Sequence, residues 1–156
     1  VLANETSNSK SIAGSLSKIK EVSSYQKALY EDLIRRIEQI DERLAELNPE
    51  VEAKVEIPGG NGEKKENGGD HSPAFIDYVG FYRGAKGWRL HYFRKSTDQN
   101  KIIYHQILTE ARKDFQIRAV EQLPRLISAL AEETQKKTDE IKNSLDLAED
   151  IAQSLL

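Results

Sequence analysis

The chain contains no cysteine and no methionine. The first absence excludes disulfides, thiolate nucleophiles and thiolate metal sites, and it fits a reducing compartment. The second extends to position 1 and implies processing or trimming of the natural start. No run of 18 apolar residues occurs, so no membrane-spanning helix is expected, and Val1 to Lys10 lack the charged and apolar regions of a signal peptide. A cytoplasmic location is the expectation. Gly-x-Ser-x-Gly, a P-loop and a dinucleotide glycine fingerprint are all missing, which speaks against an enzyme built on those motifs.

What is present is charge and regularly spaced Leu and Ile. Charged residues make up 31% of the 156 positions, and the mean hydropathy is -0.64. The apolar spacing argues for a folded chain, one domain or a small domain with helical extensions. The net charge of -3 is unlike that of a generally basic nucleic-acid binder. Its distribution is uneven. Ala74 to Leu108 carries Arg83, Lys86, Arg89, Arg94, Lys95 and Lys101 against Asp77 and Asp98, a net of +4 that leaves -7 for the remainder.

From about Ser9 to Leu47 the apolar positions Ile12, Leu16, Ile19, Tyr30, Leu33, Ile37, Ile40, Leu44 and Leu47 keep alternating steps of four and three. That pattern predicts one long amphipathic helix with a polar patch at Ser23 and Gln26. Asn48-Pro49 ends it, because a residue before proline is pushed out of the helical region. Such a helix spans roughly 58 Å, whereas a strand of eight residues reaches about 27 Å. A small sheet cannot cover it, so another helix must. Val51, Ala53, Val55 and Ile57 alternate with charged residues in the period-two pattern of an edge strand, and Pro58 to Pro73 reads as a flexible linker. Gly59-Gly60-Asn61-Gly62 lacks the following helix that a phosphate loop needs.

Phe75 to Tyr82, Trp88 to Lys95 and Lys101 to Leu108 are strand-like runs that predict a three-stranded antiparallel meander holding eight of the eleven aromatic residues. Thr109 is the expected N-cap of the C-terminal helical region. Pro124 is expected to kink it or to open a fresh helix. Beyond it, Ile127, Ala131, Thr134, Thr138, Ile141, Leu145, Ala148 and Leu155 form a second stripe, again polar in its middle. Two such stripes predict coiled-coil-like pairing, within one chain or between subunits, with Leu16, Ile19, Leu33, Ile37, Ile40, Leu44, Ile127, Ile141 and Leu145 as the interface.

Candidate binding residues cluster in the meander. If Lys95 faces Lys101 and Arg83 faces Gly87, then Tyr78, Tyr92 and Tyr104 form a row beside Tyr82 and Trp88, while Val79, His91 and His105 form the row behind it. With Arg89 and Arg94 nearby, the tyrosine row is either a stacking platform for a base, nucleotide or peptide, or simply the core face on which the helices pack. The core reading is favoured, because a three-stranded sheet needs a covered face. A one-residue slip in the first hairpin would break these rows. The facing His91 and His105, with Asp77 as the nearest carboxylate, are too few ligands for a metal site, so neither metal nor cofactor is expected. A pH-sensitive contact is the softer alternative. His71 lies in the linker. The carboxylates Glu38, Asp41, Glu42 and Glu46 alternate with Arg35, Arg36 and Arg43 as on a solvated helix face. The polar faces carry both signs, unlike helices that lie on membranes.

The aromatic meander leading into Leu108-Thr109-Glu110-Ala111 and then Arg118 to Pro124 resembles a pattern of small bacterial or phage proteins. The resemblance implies a bacterial cytoplasmic origin and no activity. The expected architecture is therefore α+β and mostly helical, in four segments: a long helix over 1–48, a linker with an edge strand over 49–73, the meander over 74–108 and proline-interrupted helices over 109–156. The expected function is protein-protein interaction or assembly with a protein partner, in a homo-oligomer, without catalysis. Nucleic-acid or nucleotide binding on the meander is the alternative.

Overall fold

A computed structural model describes residues 2–47, 49–59 and 74–156. The expectations that fall on Asn48, on His71 and on most of the linker lie outside the described residues. The chain divides into two compact units, Val1–Glu38 and Gln39–Leu156. The architecture is α+β, with two long helices and a four-stranded antiparallel sheet.

Helix α1 (Leu2–Leu47) starts earlier than the apolar stripe suggested and provides all of the first unit. Every residue from 6 to 29 is exposed. Its final turns, from Gln39, belong to the second unit.

In the second unit the sheet consists of β1 (Ala53–Ile57), β2 (Phe75–Gly84), β3 (Gly87–Ser96) and β4 (Ile102–Ile107), in that order. The count corrects the three-stranded expectation: the alternating segment before the linker joins the meander as a fourth strand. Val55 pairs with Val79 and Ala53 with Phe81, so the apolar side of β1 extends the face that the neighbouring strand buries.

The first hairpin closes one residue away from the expected register. Gly84 pairs with Gly87 across the two-residue turn Ala85-Lys86, and Arg83 therefore faces Trp88. Gly87 has φ of +85°, the conformation that returns the chain to the strand direction after a turn whose central residues keep negative φ. In the second hairpin Lys95 faces Ile102, one residue beyond the expected pairing, and an irregularity at Arg94/Lys95 adds a second, so that Arg94 faces Tyr104 and Phe93 faces His105. A two-residue shift preserves faces and a one-residue shift exchanges them. Relative to the expected rows, β2 alone is turned over.

One face accordingly carries Ile57, Asp77, Val79, Phe81, Leu90 and Tyr92, all buried. Helix α2 (Lys113–Ser154) covers it, lying against β1 and β2 with Phe115, Ala119, Leu123, Leu126 and Leu130 turned inward. Leu108–Glu110 form a 3₁₀ turn and Ala111 and Arg112 are extended, so Thr109 is not the helix cap. The buried Gln116 ties the two pieces together, its amide donating to the carbonyls of Leu108 and Thr109 at 3.0 and 3.2 Å. The helix runs on as one element through Pro124 rather than restarting there. Pro124 is exposed, so the Val120 carbonyl left without its intrahelical donor can be solvated.

Gly80 sits in the sheet where a Cβ would lie 2.3 Å from the Tyr82 ring and 2.9 Å from the Ala53 carbonyl oxygen. Gly80→Ala should therefore destabilise the fold by about 1–3 kcal/mol through overpacking, read as a lowered urea midpoint at unchanged slope; an unaltered midpoint would show that the ring moves aside freely.

Candidate functional site

The register decides which candidate residues meet. On the helix-covered face, Asp77 is fully buried and its carboxylate collects four donors. Arg94 donates from Nε to Oδ1 at 2.7 Å and from Nη2 to Oδ2 at 3.0 Å, and the Tyr92 hydroxyl donates to Oδ2. Arg118, reaching down from α2, places Nη1 3.2 Å from Oδ2. Burial by itself would raise the Asp77 pKa. The bonds from Arg94 and Tyr92, and the charges of Arg94 and Arg118, outweigh it and hold the carboxyl below its ordinary 3.8. The same contact raises Arg94, and burial together with the Asp77 bond pushes the Tyr92 phenol well up.

Aromatic rings enclose this cluster. Tyr92 stacks on Phe115 with centroids 4.4 Å apart and planes 2° from parallel, and Tyr104 meets Phe115 edge-on at 5.1 Å. The Arg94 guanidinium lies 3.8 Å from the Phe75 ring centroid. Trp88, on the same face, stacks on Phe81. Tyr92 and Arg94 thus hold β3 to β2 and to α2. The sequence reading weighed Asp77 only as a neighbour of the histidines, and the structure places it on the opposite face from them. A lone Asp in a strand otherwise rich in aromatic and branched residues, with Arg on the next strand, was the available signal.

The other face collects Tyr78, Tyr82, Arg89, His91, Phe93 and His105. The expected row of three tyrosines is therefore split: Tyr78 and Tyr82 stand here, Tyr92 and Tyr104 on the covered side. Tyr78 stacks on Phe93 at 5.0 Å, with the Lys54 ammonium 4.9 Å from its centroid. Tyr82 meets His91 and Phe93 edge-on. Among the described residues the expected row of three tyrosines is therefore not formed on this face.

His91 and His105 do come together, although diagonally rather than directly opposite, with Nδ1 of the first 2.9 Å from Nε2 of the second. Burial first, then the His105 imidazole and Arg89, hold His91 below the usual histidine value of 6.5, against the backbone of Tyr82, which favours the proton. Among the described residues no group of three or more His, Asp or Glu side chains could hold a metal ion.

Asp41 is a further residue the sequence did not single out. Its carboxylate, 3% exposed, accepts from the Leu90 backbone N–H at 2.6 Å and from Arg89 Nε at 3.3 Å. The β3–β4 ladder ends at His91↔Ile107, so this N–H would otherwise lie buried without a partner. One member of the apparent solvated acid-base face thus ties the last turns of α1 to the sheet.

The predicted helix-interface residues divide sharply. In α1, Ile37 and Leu44 are buried and Leu33 and Ile40 half-buried, while Leu16 and Ile19 are each 60% exposed. In α2, every residue from 135 to 156 is exposed, including Ile141 and Leu145. Ile127, nearly half exposed, lines a groove of about 380 Å³ with Leu44, Leu47, Leu130, Ala131 and Thr138. No helix among the described residues is long and apolar enough to cross a membrane.

Asp77→Ala, which strands two arginines, should cost about 3–5 kcal/mol in denaturant unfolding, and a loss below 1 kcal/mol would mean that the cluster relaxes to solvent. The depressed His91 pKa means that the unfolded chain binds more protons than the native one below pH 6.5. Stability should fall as pH drops from neutrality through that window and level off once the native His91 is itself protonated. In His105→Gln the fall should shrink without vanishing, because burial, the larger cause, persists; urea midpoints across the pH range measure both. Asp77 does not blur the result, since its lowered pKa places its own loss below pH 3.8.

Comparison of the chain with protein-family models, with curated proteins and with solved structures finds no match.

Proposed function

We propose that the chain is an assembly module that acts without catalysis in a bacterial cytoplasm, engaging a protein partner through coiled-coil-like helix pairing. The observation that carries this reading is the set of large apolar side chains left in water at helical spacing. Ile12, Leu16 and Ile19 on α1, and Ile141 and Leu145 on α2, are each about 60% exposed. Single exposed apolar residues are ordinary, but an aligned series along one helix forms the kind of contiguous patch that marks an interaction surface, and each helix carries one. Each helix is split in use. The end of α1 and the first half of α2 build the core with the sheet, while residues 6–29 of α1 and 135–156 of α2 are exposed throughout.

The sheet then serves as the anchor. Its buried face holds α2, and Asp41 fastens the last turns of α1. The Tyr78 and Tyr82 face is the secondary partner surface.

Leu16→Glu combined with Ile19→Glu should leave the folding free energy within about 0.5 kcal/mol, since both positions are exposed. It should abolish association seen by light scattering or by co-elution of a partner. A wild-type chain that is monodisperse at 17.7 kDa and retains no partner would overturn the proposal.

A further inference from the structure

Resting on that reading, we infer that the partner is a second copy of this chain, docked so that the exposed part of α1 in one protomer lies against the C-terminal part of α2 in the other. The argument begins with charge. Residues 6–29 of α1 carry Lys10, Lys18, Lys20 and Lys27 against Glu21, a net of +3. Residues 135–154 of α2 carry Asp139, Glu140, Asp146, Glu149 and Asp150 against Lys136, Lys137 and Lys142, a net of -2. Pairing α1 with its own copy brings positive against positive, and pairing α2 with its own copy brings negative against negative. Of the three pairings between copies, the crossed one alone joins opposite signs, and juxtaposed like charges disfavour the other two.

The helices themselves supply a second argument. The carboxylates of Glu149 and Asp150 stand near the negative end of the α2 macrodipole, and no basic residue occupies its last turn. That placement is unfavourable for an isolated helix and is relieved by a basic neighbour. The α1 segment has the converse difficulty. Gly14 and repeated serines, at 7, 9, 11, 15, 17, 23 and 24, give it poor intrinsic helix propensity. A helix of that composition depends on packing.

The surface is also of the right size. Ile12, Leu16, Ile19, Val22, Tyr25 and Leu29 on α1, with Ile141, Leu145, Leu147, Ile151 and Leu155 on α2, are all at least half exposed. These eleven side chains fit within the roughly 20–30 residues that each partner contributes to a stable interface. In antiparallel alignment the polar pair Ser23 and Gln26 falls beside Thr138 and Thr134, and Ile19, Leu16 and Ile12 then fall beside Ile141, Leu145 and Ala148.

The cysteine-free chain permits a direct test. Leu16→Cys and Leu145→Cys are made in separate, differently tagged full-length chains, mixed, and treated with a bis-maleimide of about 10 Å span, one heptad of helix. The mixture should yield the mixed covalent dimer at least tenfold above either chain alone. Lys10→Glu with Lys20→Glu should raise the dimer Kd about tenfold, and Glu140→Lys with Asp150→Lys in the other chain, the carboxylates that fall beside them, should restore it. Efficient cross-linking of Leu16→Cys to itself, or of Leu145→Cys to itself, overturns the crossed arrangement while leaving assembly standing. So does a doubly substituted chain that cross-links only internally at high dilution, or a monomer that captures a different protein in a manner lost in Leu16→Glu. A monomer that captures nothing removes the assembly reading as well.

Discussion

A carboxylate taken fully out of water must be satisfied where it stands, and Asp77 imposes that condition on the rest of the second unit. Its donors come from three directions: Tyr92 and Arg94 on β3, and Arg118 on α2. Asp77 and Arg94 are directly paired across the ladder. A slip of one residue would carry Asp77 to the opposite face, away from all its donors and into the company of His91 and Phe93. The desolvation cost of an unpaired carboxylate therefore selects the register as firmly as the apolar pattern does. The same contact sets the position of α2, since Arg118 and Phe115, one turn apart, close over the cluster from the same side of the helix.

Once that register is set, the two faces of the sheet differ in kind. The covered one is a packed core with a single ionic cluster at its heart. The other is built from rings that lean on one another, with two histidines in contact and a lysine over a tyrosine. Such a face gains cohesion from the mutual contact of its side chains, and its weak point is His91, whose protonation is disfavoured by burial first and then by the adjacent His105.

The helices show a contrast of the same sort along their length. Leu123, Leu126 and Leu130 of α2 are buried, and from residue 135 onward the same helix is all in water. A chain with charged residues at 31% of its positions has no shortage of polar side chains with which to dress a solvent-facing helix. Retaining Ile, Leu and Val there is consistent with the crossed, charge-matched association proposed for α1 and α2.

The sequence by itself determined the elements and their order. Periodicity located both helices and the three central strands to within two or three residues at most ends, because a repeat of 3.6 or 2 is a local property of the chain. It also identified the alternating segment that became β1, the split of each helical stripe by a polar patch and the closeness of His91 to His105. It did not determine the hairpin register. That depended on whether Gly84 or Arg83 closed the turn, a choice between neighbouring positions that the positive φ of Gly87 and the burial of Asp77 settle together. Nor could it show that Asp41 leaves an apparently solvated helix face to cap Leu90, or that Thr109 yields the helix start to Lys113. Those outcomes rest on partners dozens of residues away or on backbone left unpaired where a strand ends, and only the tertiary structure brings such groups within reach of one another.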